Sequence, residues 1–385
     1  MGLFLDLINV PVDATNEALE GLYKAMSDGH GHDGGGIWSP HESILIRHLV
    51  ELFTQRGLLR LETVQKKFEG WITGAYHKPT ASPVTPPGMV SRWTKPELEL
   101  ARLYLESLPA SAWKLDDHMM AIELVVQTYL PEDALFAEAD WLATKAVMMG
   151  KVQANMDAAA KPTPKQADAI LEMLPSSMTH GVALSPPAAA VLVFARARAA
   201  EHVRSLSESV RHRMRSVVVA DLEQRFVGGA PTGTSSLQSK LLDEFGTLNR
   251  DWRRIAITEA GEAQLQGFIA SLKPGTKVKR VEQYANACAF CRKIDGVVAT
   301  VVAPDHPDKN PDTMVWPGKN NIGRRASPRK RVGDVLVERD PDEMWWLPAG
   351  LAHPNCRGRW VVVSEAPQEG DDPDLAAALA AILNG

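Results

Sequence analysis

Residues 188–226 read AAAVLVFARARAAEHVRSLSESVRHRMRSVVVADLEQRF. Within this run Val191, Phe194, Ala197, Ala200, Val203, Leu206 and Val210 return at steps of three and four. That period holds apolar side chains on one face of an α-helix and on no face of a strand. Ser185-Pro-Pro187 stands where a helix starts, and the stretch from Gly228-Gly229 to Ser236 breaks the pattern. Helical periodicity then resumes from Leu237 to Phe268 through Leu241, Phe245, Leu248, Trp252, Ile255 and Ile257. Toward the N-terminus the same grammar recurs. Thr94-Lys-Pro-Glu97 reads as a capping box, Thr163-Pro-Lys-Gln166 and Pro131-Glu-Asp133 open further helices, Asp116-Asp117 caps another, and a helical pattern runs from about 40 to 71. From Pro274 the pattern changes to short β-rich runs, 297–302, 335–337 and 359–363, punctuated by Pro and Gly. The expected fold is mainly α: helical N-terminal and middle regions with a small α+β, cysteine-containing C-terminal subdomain.

All three cysteines of the chain fall in that subdomain. Cys288-Ala-Phe-Cys291 precedes a long insertion that ends in His353-Pro-Asn-Cys356-Arg357. Two thiolates three residues apart grip one soft ion from a tight turn, and a His and a Cys at i and i+3 close its tetrahedron from a second turn. Cys288, Cys291, His353 and Cys356 are therefore the expected ligands of one structural zinc. Two alternatives stay open: a site of three cysteines completed by His306 or water, and cysteines that pack as small hydrophobes without metal. A thioredoxin-like reading of the Cys pair lacks the strand-to-helix context of a βαβ unit. Trp345-Trp346 before Leu347-Pro348 reads as a packing anchor for the subdomain.

The flanking residues extend the pattern. Cys-x-x-Cys-x-x-x-Asp-Gly followed by His-Pro-Asn-Cys-Arg resembles the C-terminal signature of the Mu F-like minor head proteins of tailed bacteriophages. So does the order of long helix, Gly break and a helix carrying Trp252-Arg-Arg-Ile-Ala-Ile-Thr-Glu259. The resemblance spans about 188 to 363. It departs at Ile257, where the family usually has Arg, and at Gly358, where the family's Cys-Arg-Cys ending has its last Cys. The expected divisions are a helical region with a Gly-rich segment at 1–90, a helical domain at 91–184, the Mu F-like part at 185–364, and an acidic linker with a short C-terminal helix at 365–385. The resemblance implies a minor head (capsid) protein of the virion that acts in head morphogenesis near the portal or capsid interior. Its partners would be portal and major capsid or scaffold protein, it would assemble in the host bacterial cytoplasm, and ejection with the DNA is a further expectation. The terminal helix, 375–383, is short and Ala-rich and is expected to order on such a partner.

Between the two halves of the Cys/His set lies a basic stretch: Lys319, Arg324, Arg325, Arg329, Lys330 and Arg331, with no acid from Thr313 to Gly333. These six are the candidate contacts to phosphates of double-stranded DNA, bound without sequence preference. If all engaged, log affinity would fall with log salt at a slope of about −5. The overall charge of −5 means that any such contact is local. Asp305-His306-Pro307 suggests a second class of function, a metal-dependent HNH-like nuclease injected with the genome, in which His306 activates water. No Gly-x-Ser-x-Gly, His-Glu-x-x-His or P-loop pattern is present, so no catalytic residue and no organic cofactor are expected. His30 and His32, in the Gly-rich stretch 29–36, read as part of a solvated tip. The apolar runs are far shorter than the roughly 20 residues of a membrane span, and the first residues do not read as a signal peptide.

Overall fold

A computed structural model describes residues 44–80, 82–90, 92–156, 162–177, 184–228, 234–283, 287–363 and 373–384. His30, His32 and most of the acidic linker lie outside the described residues. The described chain is mainly helical with a small mixed sheet near its C-terminal end. Its helices are α1 (Ile44–Ile72), α2 (Lys95–Ser107), α3 (Leu115–Tyr129), α4 (Glu132–Asn155), α5 (Pro164–Met173), α6 (Pro186–Gly228), α7 (Thr234–Ala270), α8 (Ala289–Ile294) and α9 (Pro373–Asn384). The capping residues expected from sequence do their work. Thr94 and Glu97 close a reciprocal box at α2, Thr163 and Gln166 do the same at α5, and Asp117 accepts from the Lys114 N–H at the start of α3. Each satisfies amides that a helix N-terminus leaves without an intrahelical partner.

The described residues form two compact units that interleave segments of the chain: those of 54–139 with 200–255, and those of 44–53 with 140–199 and 256–384. The boundaries expected at 90, 184 and 364 do not coincide with them. Helices of 43 and 37 residues are too long to belong to one small core, so α6 and α7 contribute to both units.

In the unit of 54–139 and 200–255, α6 turns Val203, Leu206, Val210, Met214 and Val218 inward, and α7 turns in Leu241, Phe245, Leu248 and Trp252. Trp252 lies flat against Gly57, where a Cβ would sit 1.8 Å from the indole ring. Glu123, buried on α3, receives Arg211 at 3.0 Å and Arg215 at 2.5 Å from α6. A buried carboxylate is tolerable only with such partners.

The other unit carries the cysteines. Its helices α4 and α7 meet at Gly150 and Gly267, where a Cβ would lie 2.3 Å from the Gln264 carbonyl and 2.5 Å from that of Val147. Four strands, β1 (Lys277–Val281), β2 (Val298–Val301), β3 (Met314–Val315) and β6 (Arg359–Val362), form a sheet in the order β3-β2-β1-β6. β1 is antiparallel to β2 and β6, and β2 is parallel to β3. Leu265, Phe268, Ile269, Val278, Ile294, Val301, Val315, Leu347, Leu351 and Trp360 pack into one core with Cys291 and Cys356. A separate hairpin, β4 (Arg329–Val332) and β5 (Val335–Glu338), arises from the basic stretch, whose β character in 329–332 was not legible beneath its charges. The terminal helix α9 docks on this same unit. Leu379 is buried, and Gln166 of α5 donates to the carbonyls of Ile382 and Leu383.

Candidate metal centre

The Cys pair is shaped by a short helix. Cys288 is the N-cap of α8, and its Sγ accepts from the Cys291 N–H at 3.4 Å. This arrangement turns both sulfurs to the same side at the helix start. The second half of the set sits on a turn in which the Cys356 N–H donates to the His353 carbonyl at 3.1 Å. Asn355 takes φ 61°, a left-handed conformation that Asn tolerates better than most residues. Its N–H donates to Thr258 Oγ1 at 2.9 Å, and the Leu351 N–H donates to Glu262 at 2.5 Å. Helix α7 therefore holds the loop bearing His353 and Cys356 through Thr258 and Glu262. Ile257 is buried; the ion-pair partner of Glu259 and Glu262 is Arg198 of α6, at 2.8 and 3.4 Å.

His353 stacks on Trp345 with ring centroids 5.3 Å apart, and Phe290 meets the same indole edge-on. The Trp pair is thus a packing anchor, as its sequence context suggests. His353 Nδ1 donates to the Pro354 carbonyl at 2.9 Å, which leaves the Nε2 lone pair as the metal-facing atom. Nε2 lies 3.3 Å from Cys288 Sγ and 3.2 Å from Cys291 Sγ, and Cys291 Sγ lies 3.9 Å from Cys356 Sγ. With zinc bonds of about 2.3 Å to sulfur and about 2.0 Å to nitrogen, a tetrahedron has edges of about 3.8 Å between sulfurs and about 3.5 Å between sulfur and nitrogen. The observed spacings fall close to those edges. Cys288, Cys291 and His353 form one mutually close set, and Glu282, Cys291 and Cys356 form a second that shares Cys291. Cys288, Cys291, His353 and Cys356 thus cluster so that they can hold a metal ion.

Burial raises the Cys288 pKa, but the Cys291 amide and thiol and the His353 ring outweigh it and hold the thiol below its ordinary value. His353 is pulled down by burial and pushed up by more, through the Pro354 carbonyl and the neighbouring thiols. His306 belongs to neither ligand set among the described residues; its Nδ1 accepts from the Asp308 N–H at 3.2 Å on a turn.

Two buried residues of this centre have no spacing motif that announces them. Arg280 and Glu282 lie on and just beyond β1, two residues apart and so on one face, and both side chains are fully buried. Glu282 approaches Cys356 Sγ at 3.6 Å. Gly358 leaves room for that carboxylate: a Cβ there would lie 2.0 Å from Glu282 Oε1.

The basic stretch is partly consumed by the fold. Lys319 is 1% exposed, donates from Nζ to the carbonyls of Pro311 at 2.5 Å and Met314 at 2.7 Å, and lies over the rings of Trp316 and Trp346. The expectation that it binds phosphate is corrected, because its apolar stem is buried and its amine is held by two carbonyls inside. Arg324 stacks on Trp346 at 3.5 Å and donates to the Met344 carbonyl, and Lys330 pairs with Glu343 at 2.5 Å. Arg325, Arg329 and Arg331 remain exposed, with Glu338 opposite Arg329 in the hairpin.

Comparison with known proteins finds no matching family model, no matching curated protein and no matching solved structure. Among the described residues no helix is long and apolar enough to cross a membrane.

Proposed function

We propose that this chain is a minor head protein of a tailed bacteriophage, acting in head morphogenesis beside the portal or the capsid interior, and that Cys288, Cys291, His353 and Cys356 hold one structural zinc. The observation that carries the zinc reading is that Cys291 joins two close sets: its Sγ lies 3.2 Å from His353 Nε2, which is 3.3 Å from Cys288 Sγ, and 3.9 Å from Cys356 Sγ, with Nδ1 of the histidine turned to a carbonyl. A site with four protein ligands has no open position for substrate or water, which suits a structural ion and not a catalytic one. Bound there, zinc would tie the start of α8 to the loop that α7 supports, with a folding contribution of the order of 10 kcal/mol seen in small zinc domains.

The head-protein reading rests on the resemblance of the region from 188 to 363, with partners that would be portal and major capsid or scaffold protein. The nuclease alternative requires His306 beside an open metal position, and the ligand sets do not include it. Any contact of this chain with packaged DNA would fall to Arg325, Arg329 and Arg331. The test is the protein composition of purified particles together with a cleavage assay. The proposal expects the chain at low copy with portal and major capsid protein and no Mg²⁺- or Mn²⁺-dependent cleavage of DNA. Cleavage abolished by His306→Ala, or absence of the chain from particles, overturns it.

A further inference from the structure

Three thiolates around a divalent ion leave one negative charge, and a buried site must have that charge compensated. At this centre the compensation is built into the sheet. Arg280 is fully buried and spends its donors in three directions: Nε to Glu282 Oε1 at 2.7 Å, Nη1 to the Gly350 carbonyl at 2.9 Å, and Nη2 to Cys356 Sγ at 4.0 Å. Its guanidinium also lies 5.4 Å from the ring of Trp360 on the neighbouring strand β6. The planar fork is thereby fixed with one arm on the thiol, a geometry that a flexible ammonium would not reproduce. Glu282 acts in the opposite sense. Its carboxylate holds Arg280 in place, but it stands 3.6 Å from Cys356 Sγ and within the same close set as Cys291.

We infer that Arg280 and Glu282 are an opposed pair that sets the metal affinity of the thiolate centre, Arg280 stabilising the Cys356 thiolate as a positioned hydrogen-bond donor and counter-cation, and Glu282 weakening it. The inference rests on the zinc reading of the Cys/His set. Partners of this kind around a metal ligand typically change affinity by about 10- to 100-fold. The two residues differ in sign: removing the cation leaves the buried set with an extra uncompensated charge, and removing the carboxylate relieves one. An ion pair that only braces the fold makes the opposite forecast for Glu282, since either single substitution then strands a buried charge and loosens the site.

The experiment measures zinc affinity of the full-length chain by competition with a chromogenic chelator, in the parent, Arg280→Met, Glu282→Gln and the double variant. Cobalt(II) loading gives a spectroscopic readout of the ligand set. The expected result is one zinc in the parent, about 10- to 100-fold weaker binding in Arg280→Met with a charge-transfer band shifted to lower energy, and binding at least as tight as the parent in Glu282→Gln. The double variant should return toward the parent. If Arg280→Met does not fold, the sign of the change in Glu282→Gln decides alone, because that variant keeps both shape and cation. Weaker zinc binding in Glu282→Gln, as either a bracing pair or a carboxylate ligand requires, overturns the inference, as does a folded Arg280→Met with parental affinity. A parent that binds no zinc overturns the metal centre itself.

Discussion

Gly358→Ala is a one-carbon change whose cost is set by a single contact. The glycine does not adopt a left-handed backbone, so alanine brings no conformational strain of its own. Its Cβ, however, would sit 2.0 Å from Oε1 and 2.2 Å from Cδ of Glu282, where ordinary contact begins at 3.4 Å. The carboxylate must retreat by about 1.4 Å, the difference between those two distances, and its 2.7 Å bond to Arg280 Nε cannot survive that movement. Both partners are fully buried, so separation leaves charges without water to solvate them. Breaking such a pair costs about 3–5 kcal/mol, and partial relaxation brings the expectation to about 3 kcal/mol. Urea unfolding of the purified chain, with hydrogen exchange of the amides from 277 to 363 as the local probe, measures it. A second substitution, Glu282→Ala, should abolish most of the additional cost of the alanine at 358, because the colliding group is gone. A Gly358→Ala protein as stable as the parent within about 0.5 kcal/mol, with unchanged exchange, would refute the packing argument.

Two further expectations follow from the basic stretch. Burial lowers the Lys319 pKa to about 7, below the value of about 10.4 for an unfolded lysine. Between those values the unfolded chain binds more protons, so the stability contributed by this site should rise with pH from about 7 to about 10, and Lys319→Met should flatten that rise in a melting series. Replacing Arg325, Arg329 and Arg331 together by Gln should remove whatever DNA binding the chain has, and the parent's salt slope should be near −3, not the −5 expected of six free cations. A slope near −5 would show that Lys319, Arg324 and Lys330 leave their internal partners on binding.

The helices were legible because their information is local. The apolar period of residues 188–226 and the capping pairs Thr94 with Glu97 and Thr163 with Gln166 act within a turn or two of themselves. The four proposed ligands were also legible, since Cys288 with Cys291 and His353 with Cys356 are short-range pairs. What joins the pairs was not, because Arg280, Glu282, Thr258 and Glu262 reach the centre only through the sheet and α7. Charge misled in the basic stretch. A lysine in a run of cations reads as solvated, and only the fold shows that Lys319 lies between two indole rings with its amine on two carbonyls. The compact units were hidden for a related reason, because α6 and α7 carry continuous patterns through both.

The most direct test of the central claim is the metal content and coordination of the chain purified without chelator. Elemental analysis with X-ray absorption should give about one zinc per chain, bound by three sulfurs and one nitrogen at about 2.3 and 2.0 Å, and Cys356→Ser should lose it. A chain that is metal-free as purified, takes up no zinc and melts identically before and after chelator treatment would contradict the account.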